Sequence, residues 1–377
     1  MFEGLVTYLL LPLGAALGYA LGRDSKSGAS PEALKGLAQL ANENTEGAIA
    51  SLASTPEHDP AANELNLTLG ALFRKRGEID RALKLHEGVL AHAANKPELR
   101  PLVLLELGQD YAKAGLTDRA EEVLKECATH PPLAVSALEF LLPIHEQHGS
   151  WQAALDVAHR LQGLRGVSTA LVRAHYWCEL ADEARANGDT RQARLHLEKG
   201  LQVDPACVRA NLGLSALHEA AKELPEALAA AVRVPEQDAR FLPEILPVVS
   251  RICGAEAQPE TLKELLAHFE REHAQEPALW LARAALLEPR ARTEYLAEKL
   301  SQRPSWRVLV EFLSLPVVRE AGALATPVVA FRDAMIKLIA KKPRYRCTHC
   351  GFTPSLLFWK CPSCKQWGTV VPTEDTL

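Results

Sequence analysis

The decisive stretches are LGALFRKRGEIDRALKLHEGVL at residues 69–90 and LGQDYAKAGLTDRAEEVLKECA at residues 107–128, which superimpose almost position for position. Working outward from them, an alanine recurs at Ala48, Ala82, Ala120, Ala154, Ala193 and Ala227, at spacings of 34, 38, 34, 39 and 34 residues. Twelve residues before each alanine stands Gly36, Gly70, Gly108, Leu142, Ala181 or Ser215, mostly small. Between the two marks falls a breaker, at Gly77, Gly115, Gly149 and Gly188. A period of this length with one internal breaker predicts a helix–turn–helix repeat whose small residues let two helices approach closely.

Composition agrees. The chain of 377 residues is 47% hydrophobic and 24% charged, with only 6% aromatic residues, the balance expected of stacked helices and not of disorder. A formal net charge of −5 argues against a chain whose whole surface binds nucleic acid. No H-E-x-x-H, G-x-S-x-G or G-x-x-x-x-G-K motif occurs, and His145-Glu146 lacks a second histidine at the required spacing, so no enzyme class is signalled.

The repeats resemble the tetratricopeptide family: a leucine–glycine pair, an aromatic three residues on (Phe73, Tyr111), the turn glycine, the alanine, and a closing proline in some copies (Pro132, Pro205). They depart from it in lacking the tryptophan near the start of the first helix, and the sixth copy carries Pro225 where its second helix begins. Past about Ala230 the register weakens under prolines at 235, 243, 247 and 259. TLKELLAHFEREHA, PALWLARAALL and TEYLAEKL still read as amphipathic helices there. Degenerate hairpins are expected, with a separate helical domain from about residue 240 as the alternative.

From Gly4 to Gly22 no charge interrupts LVTYLLLPLGAALGYALG, a run long enough to cross a bilayer, with Tyr8 and Tyr19 near its ends. A cleaved signal peptide is the rival, but Glu3 precedes the run while Arg23, Lys26 and Lys35 follow it. That asymmetry predicts an uncleaved single-pass anchor with the bulk of the chain in the cytoplasm. Of eight cysteines, Cys127, Cys178, Cys207 and Cys253 lie in apolar helical patterns and read as small buried hydrophobes.

The other four form two C-x2-C pairs, Cys347 with Cys350 and Cys361 with Cys364, in RYRCTHCGFTPSLLFWKCPSCKQWGTV. Two such pairs predict a tetrahedral site for one iron or zinc ion, with no open position for Lewis-acid catalysis. His349 reads as exposed and not a ligand. Phe352, Phe358, Trp359 and Trp367 are expected to cover the metal hairpins and dock them on the helices. Lys341, Lys342, Arg344 and Arg346 read as a solvated linker. Cys-Thr-His-Cys-Gly and Cys-Pro-Ser-Cys are similar to the knuckles of rubredoxin and zinc-ribbon modules.

The expected fold is therefore all-α: a tetratricopeptide-repeat superhelical solenoid with an N-terminal transmembrane helix and a small C-terminal rubredoxin-like knuckle. Its expected divisions are an anchor at 1–22, a linker at 23–30, repeats at 31–240, degenerate helical repeats at 241–340 and the four-cysteine domain at 341–377. Anchor, array and knuckle in this order resemble the lipopolysaccharide assembly protein B family, most specifically in LTLGALFRKRGEIDRALKLHE, AHYWCELA, KPRYRCTHCGF and LFWKCPSCKQW. The resemblance implies a bacterial inner-membrane protein that is not an enzyme. It also implies an adaptor presenting the LpxC deacetylase to the membrane AAA+ protease FtsH, opposed by an inner-membrane antagonist protein. Contact with the lipid bilayer through residues 4–22 is expected, no nucleic-acid partner is, and self-association stays open. The rival readings are an iron-loaded electron carrier and a zinc-ribbon nucleic-acid binder.

Overall fold

The computed structural model describes residues 62–92, 97–255, 258–319 and 325–373, and before them only Lys35, Gln39 and Gly47 as isolated helical positions. The expected anchor and linker, and the repeat marks Gly36 and Ala48, lie outside the described residues. Among the described residues no helix is long and apolar enough to cross a membrane. They fall into two compact units, one reaching Ser150 and including Gly163–Gly166, the other comprising Trp151–Gln162 and the chain from Val167.

The first unit holds α1 (Ala62–Lys75), α2 (Ile79–His92), α3 (Arg100–Lys113), α4 (Thr117–Cys127) and α5 (Pro131–His148). In the second come α6 (Trp151–Arg165) as far as Gln162, α7 (Ala170–Ala186), α8 (Thr190–Val203), α9 (Val208–Ala220), α10 (Leu224–Gln237) and a 3-10 turn at Ala239–Phe241. Next stand α11 (Leu242–Ala255), α12 (Pro259–Glu272), α13 (Pro277–Ala284), α14 (Pro289–Gln302), α15 (Trp306–Ser314), α16 (Pro316–Arg319) and α17 (Ala325–Ile339). Two short strands, β1 (Tyr345–Cys347) and β2 (Val370–Pro372), pair antiparallel with Tyr345 opposite Pro372.

The small-residue marks are points of contact. Ala82, Ala120, Ala154, Ala193 and Ala227 are fully buried. A Cβ on Gly70 would stand 2.2 Å from His86 Nε2, and one on Gly108 2.5 Å from Leu124, so only glycine admits the facing helix there. The turns repeat one hydrogen bond: the N–H of Glu78, Leu116, Ser150, Asp189 and Glu223 each reaches the carbonyl five residues back at 2.9 Å. This closure needs a left-handed residue just before the donor. Gly77, Gly115, Gly149 and Gly188 supply it, and in the last copy Lys222 does, at φ 60°.

Beyond residue 230 the prolines prove to be helix starts as often as interruptions. Pro259, Pro277 and Pro289 each open a helix, where a missing N–H costs nothing, while Pro235 and Pro247 lie inside α10 and α11. One apolar cluster runs through Val208, Val234, Leu242, Val249, Leu266 and Leu279, so packing continues unbroken across residue 240. In the first unit a buried polar knot ties three helices. Asp110 accepts from Arg74 at 2.7 Å and pairs with His86 Nδ1, and Arg74 also reaches Glu106 at 2.6 Å.

Three outcomes are expected in denaturant unfolding. Lys222→Gly raises stability by about 1 kcal/mol by removing a left-handed side chain, whereas Gly115→Ala lowers it by about 1–2 kcal/mol. Asp110→Ala leaves the buried His86 ring without its carboxylate and Arg74 with Glu106 alone, and costs about 1–3 kcal/mol.

Candidate metal centre

Cys347 closes β1, and the chain then turns so that Gly351 N–H bonds the Cys347 carbonyl at 3.0 Å, with Gly351 at φ 78°. The second pair repeats the turn. Lys365 N–H bonds the Cys361 carbonyl at 2.9 Å, with Lys365 at φ 62°. Two matching knuckles bring four sulfurs together, all within 4.8 Å of one another. Cys347 and Cys364 Sγ are 3.7 Å apart, as are Cys350 and Cys361 Sγ. A tetrahedron with metal–sulfur bonds of about 2.3 Å has sulfur–sulfur edges of about 3.8 Å, so the cage fits one ion.

The surroundings of the first pair favour thiolates, whereas against the Gln366 backbone N–H, which lowers it, burial and the neighbouring sulfurs push the Cys364 thiol up to about 11. Against a burial that raises it, the Thr369 hydroxyl and the backbone N–H groups of Cys350 and His349 bring the Cys347 thiol down to about 6. The Phe352 backbone N–H likewise lowers the Cys350 thiol. Cys347 and Cys361 are buried, while Cys350 is exposed, so the cage has an inner and an outer side. His349 is exposed and outside the sulfur cluster.

Trp359 and Trp367 are held side by side by the hairpin between them, where Gly368 N–H bonds the Trp359 carbonyl at 2.8 Å. Both indoles enter the helices of the second unit. Trp367 meets Trp151 of α6 edge-on at 6.1 Å and Tyr176 of α7 edge-on at 5.7 Å, and stacks on His175 at 5.3 Å. Trp359 stacks on Phe241 at 5.8 Å, with the Arg209 guanidinium of α9 6.0 Å from its ring. Arg209 is itself held by Glu179 and Asp182 at 2.8 and 2.7 Å. Tyr345 donates to Glu244 of α11 at 2.8 Å, and Val371 joins the apolar cluster around Phe241 and Leu242. Burial first, then the Glu244 contact, pushes the Tyr345 hydroxyl up to about 12, so it stays a donor.

Two sequence expectations need correction. Phe352 and Phe358 stand 39% and 38% exposed, and the ring contacts to the helices are made by Trp359 and Trp367. Nor is the basic run wholly a solvated linker, since Lys342 lies 4.5 Å over the Trp306 ring and Arg344 reaches Glu244 at 3.4 Å. Sequence reasoning missed Trp151, His175, Arg209 and Glu244, which carry no motif. The signal that could have pointed to this helix is the run of His175, Tyr176 and Trp177 in AHYWCELA, in a chain poor in aromatics.

His175 is buried against Trp367, and burial, aided by the Arg209 charge, lowers its pKa to about 3 from 6.5. The folded state therefore holds the ring neutral at pH values where an unfolded histidine takes a proton. Stability is whole above pH 6.5 and is lost as pH falls below it. Between pH 7 and pH 5 this group alone should remove about 2 kcal/mol. His175→Phe should flatten that part of the slope, read from urea unfolding at the two pH values.

The rubredoxin metal binding domain family matches residues 345–372, and tetratricopeptide repeat families match residues 105–166 and 184–252. Lipopolysaccharide assembly protein B of Escherichia coli (strain K12) is 32% identical over 378 residues, covering 97% of each chain. The Haemophilus influenzae protein of the same name is 28% identical over 389 residues, 98% of each chain. The crystal structure of MamA protein is similar at 23% identity and a TM-score of 0.32, over 48% of this chain and 94% of that one. A relative 32% identical over 97% of both chains settles the kinship: this chain belongs to the lipopolysaccharide assembly protein B family.

Proposed function

We propose that this chain is a membrane-anchored cytoplasmic adaptor that regulates lipopolysaccharide biosynthesis by presenting the LpxC deacetylase to the protease FtsH. The observation that carries the reading is the closed cage: four sulfurs converge on one point and leave no coordination position for a substrate, so the centre shapes a surface and is no Lewis-acid catalyst. Cys347, Cys350, Cys361 and Cys364 are the proposed ligands of one zinc or iron ion, which when bound supplies the cross-link that shapes the knuckle. The chain's own part is positional. Trp359 and Trp367 hold the knuckle on the helices, and the remaining repeat surface is left for a protein partner.

In this reading residues 1–22 are the anchor, 23–30 a linker, 31–240 and 241–340 the repeats and their degenerate continuation, and 341–377 the metal module. Anchoring supports the role physically, because confining adaptor, client and protease to one membrane raises their effective concentration to the order of mM without any catalytic group. The relatives' name, a lipopolysaccharide assembly protein, supports the choice of pathway.

The test is client half-life in cells whose own copy is deleted. The full chain should restore rapid LpxC loss, and a form lacking residues 1–22 should stay folded by circular dichroism yet leave LpxC long-lived. Equal LpxC turnover with the truncated form would sink the anchored-adaptor reading.

A further inference from the structure

Two of the scattered cysteines are not isolated. Cys178 on α7 and Cys207, the residue just before α9, bring their sulfurs within 3.9 Å in the core of the second unit, and both are reduced. Beside Cys178 lies a cavity of about 230 Å³, bounded also by Asp182, Arg209 and Trp359, whose lining does not include Cys207. At roughly 30 Å³ for one water in the liquid, that space admits a molecule the size of hydrogen peroxide. The two thiols are also unequal. Their mutual hydrogen bond holds the Cys207 thiol below its ordinary range, while the same bond and burial push Cys178 well above. Cys127 makes the contrast: its thiol donates to the Pro101 carbonyl at 3.3 Å, and burial pushes it up to about 11.

We propose that Cys178 and Cys207 form a peroxide-sensitive dithiol that closes to a disulfide beneath the knuckle's seat. One sulfur of the pair attacks one peroxide oxygen and the O–O bond breaks. Sulfenic acid is left on that cysteine, and the departing hydroxide takes up the proton its thiol gave off. The other sulfur then attacks the sulfenic sulfur, the S–O bond breaks, and hydroxide leaves with the second thiol's proton. Two thiols are oxidised to one disulfide, and one peroxide is reduced to two waters. Closing the pair from 3.9 Å to a bond of about 2.05 Å draws the start of α9 towards α7. Arg209, two residues on, spans those same helices under Trp359, so the staple lies directly below the docked indole.

The test treats the full-length protein with hydrogen peroxide, blocks the remaining thiols and maps unreduced peptides by mass spectrometry. A reductant-sensitive link joining the Cys178 and Cys207 peptides is expected, lost in Cys178→Ser and in Cys207→Ser. Each single serine variant should accumulate sulfenic acid at the cysteine of the pair that remains, trapped by dimedone, with Cys127 unmodified. Both thiols remaining blockable in protein that stays folded by circular dichroism overturns the proposal, and so does a link from either one to a knuckle cysteine. The wild-type map decides even if a variant fails to fold.

Discussion

Two indoles fix the architecture of the second unit. The knuckle's own apolar core is little more than Tyr345, Cys347, Cys361 and Val370, far too small to offset the entropy of ordering its chain. Its stability has to come from sulfur convergence within and from Trp359, Trp367 and Val371 packed outward. The dependence runs both ways. His175 and Phe241 are ring faces on helices that would otherwise be exposed in a chain poor in aromatics, and the knuckle covers them. Gly368 shows how tight the seat is, since at φ 65° an added Cβ would stand 3.1 Å from His175 Nε2.

Much of this was legible because repeat proteins write their packing locally. The buried alanines, the close-approach glycines and the left-handed turn positions are each a residue type forced by a fixed distance to a neighbour, and they recur with the period. The four-sulfur cage was legible for the same reason, as two turns of identical length. What stayed hidden depends on contacts between residues far apart in sequence. Nothing near Asp110 announces that His86 and Arg74 converge on it. Nothing near Glu244 announces a partner about a hundred positions later. Lys222 escaped because a glycine was sought at the turn and the backbone there had imposed its conformation on another residue.

The polar contacts around the seat divide the labour between strength and register. Aromatic packing is tolerant of small slips, whereas the Tyr345 to Glu244 hydrogen bond and the fork of Arg209 on Glu179 and Asp182 are directional. Together they make the knuckle a built extension of the helical stack and not a pendant module.

The repeated turn bond has an evolutionary corollary. Each hairpin boundary is written within six consecutive residues, from the acceptor carbonyl of Phe73, Tyr111, His145, Ala184 or His218 to its donor. Such boundaries travel with the segment that contains them, and contacts of short sequence separation form quickly. A gene encoding this array can therefore gain or lose a unit by duplication or deletion without a new fold having to be found, whereas the indole seat admits no comparable change of length.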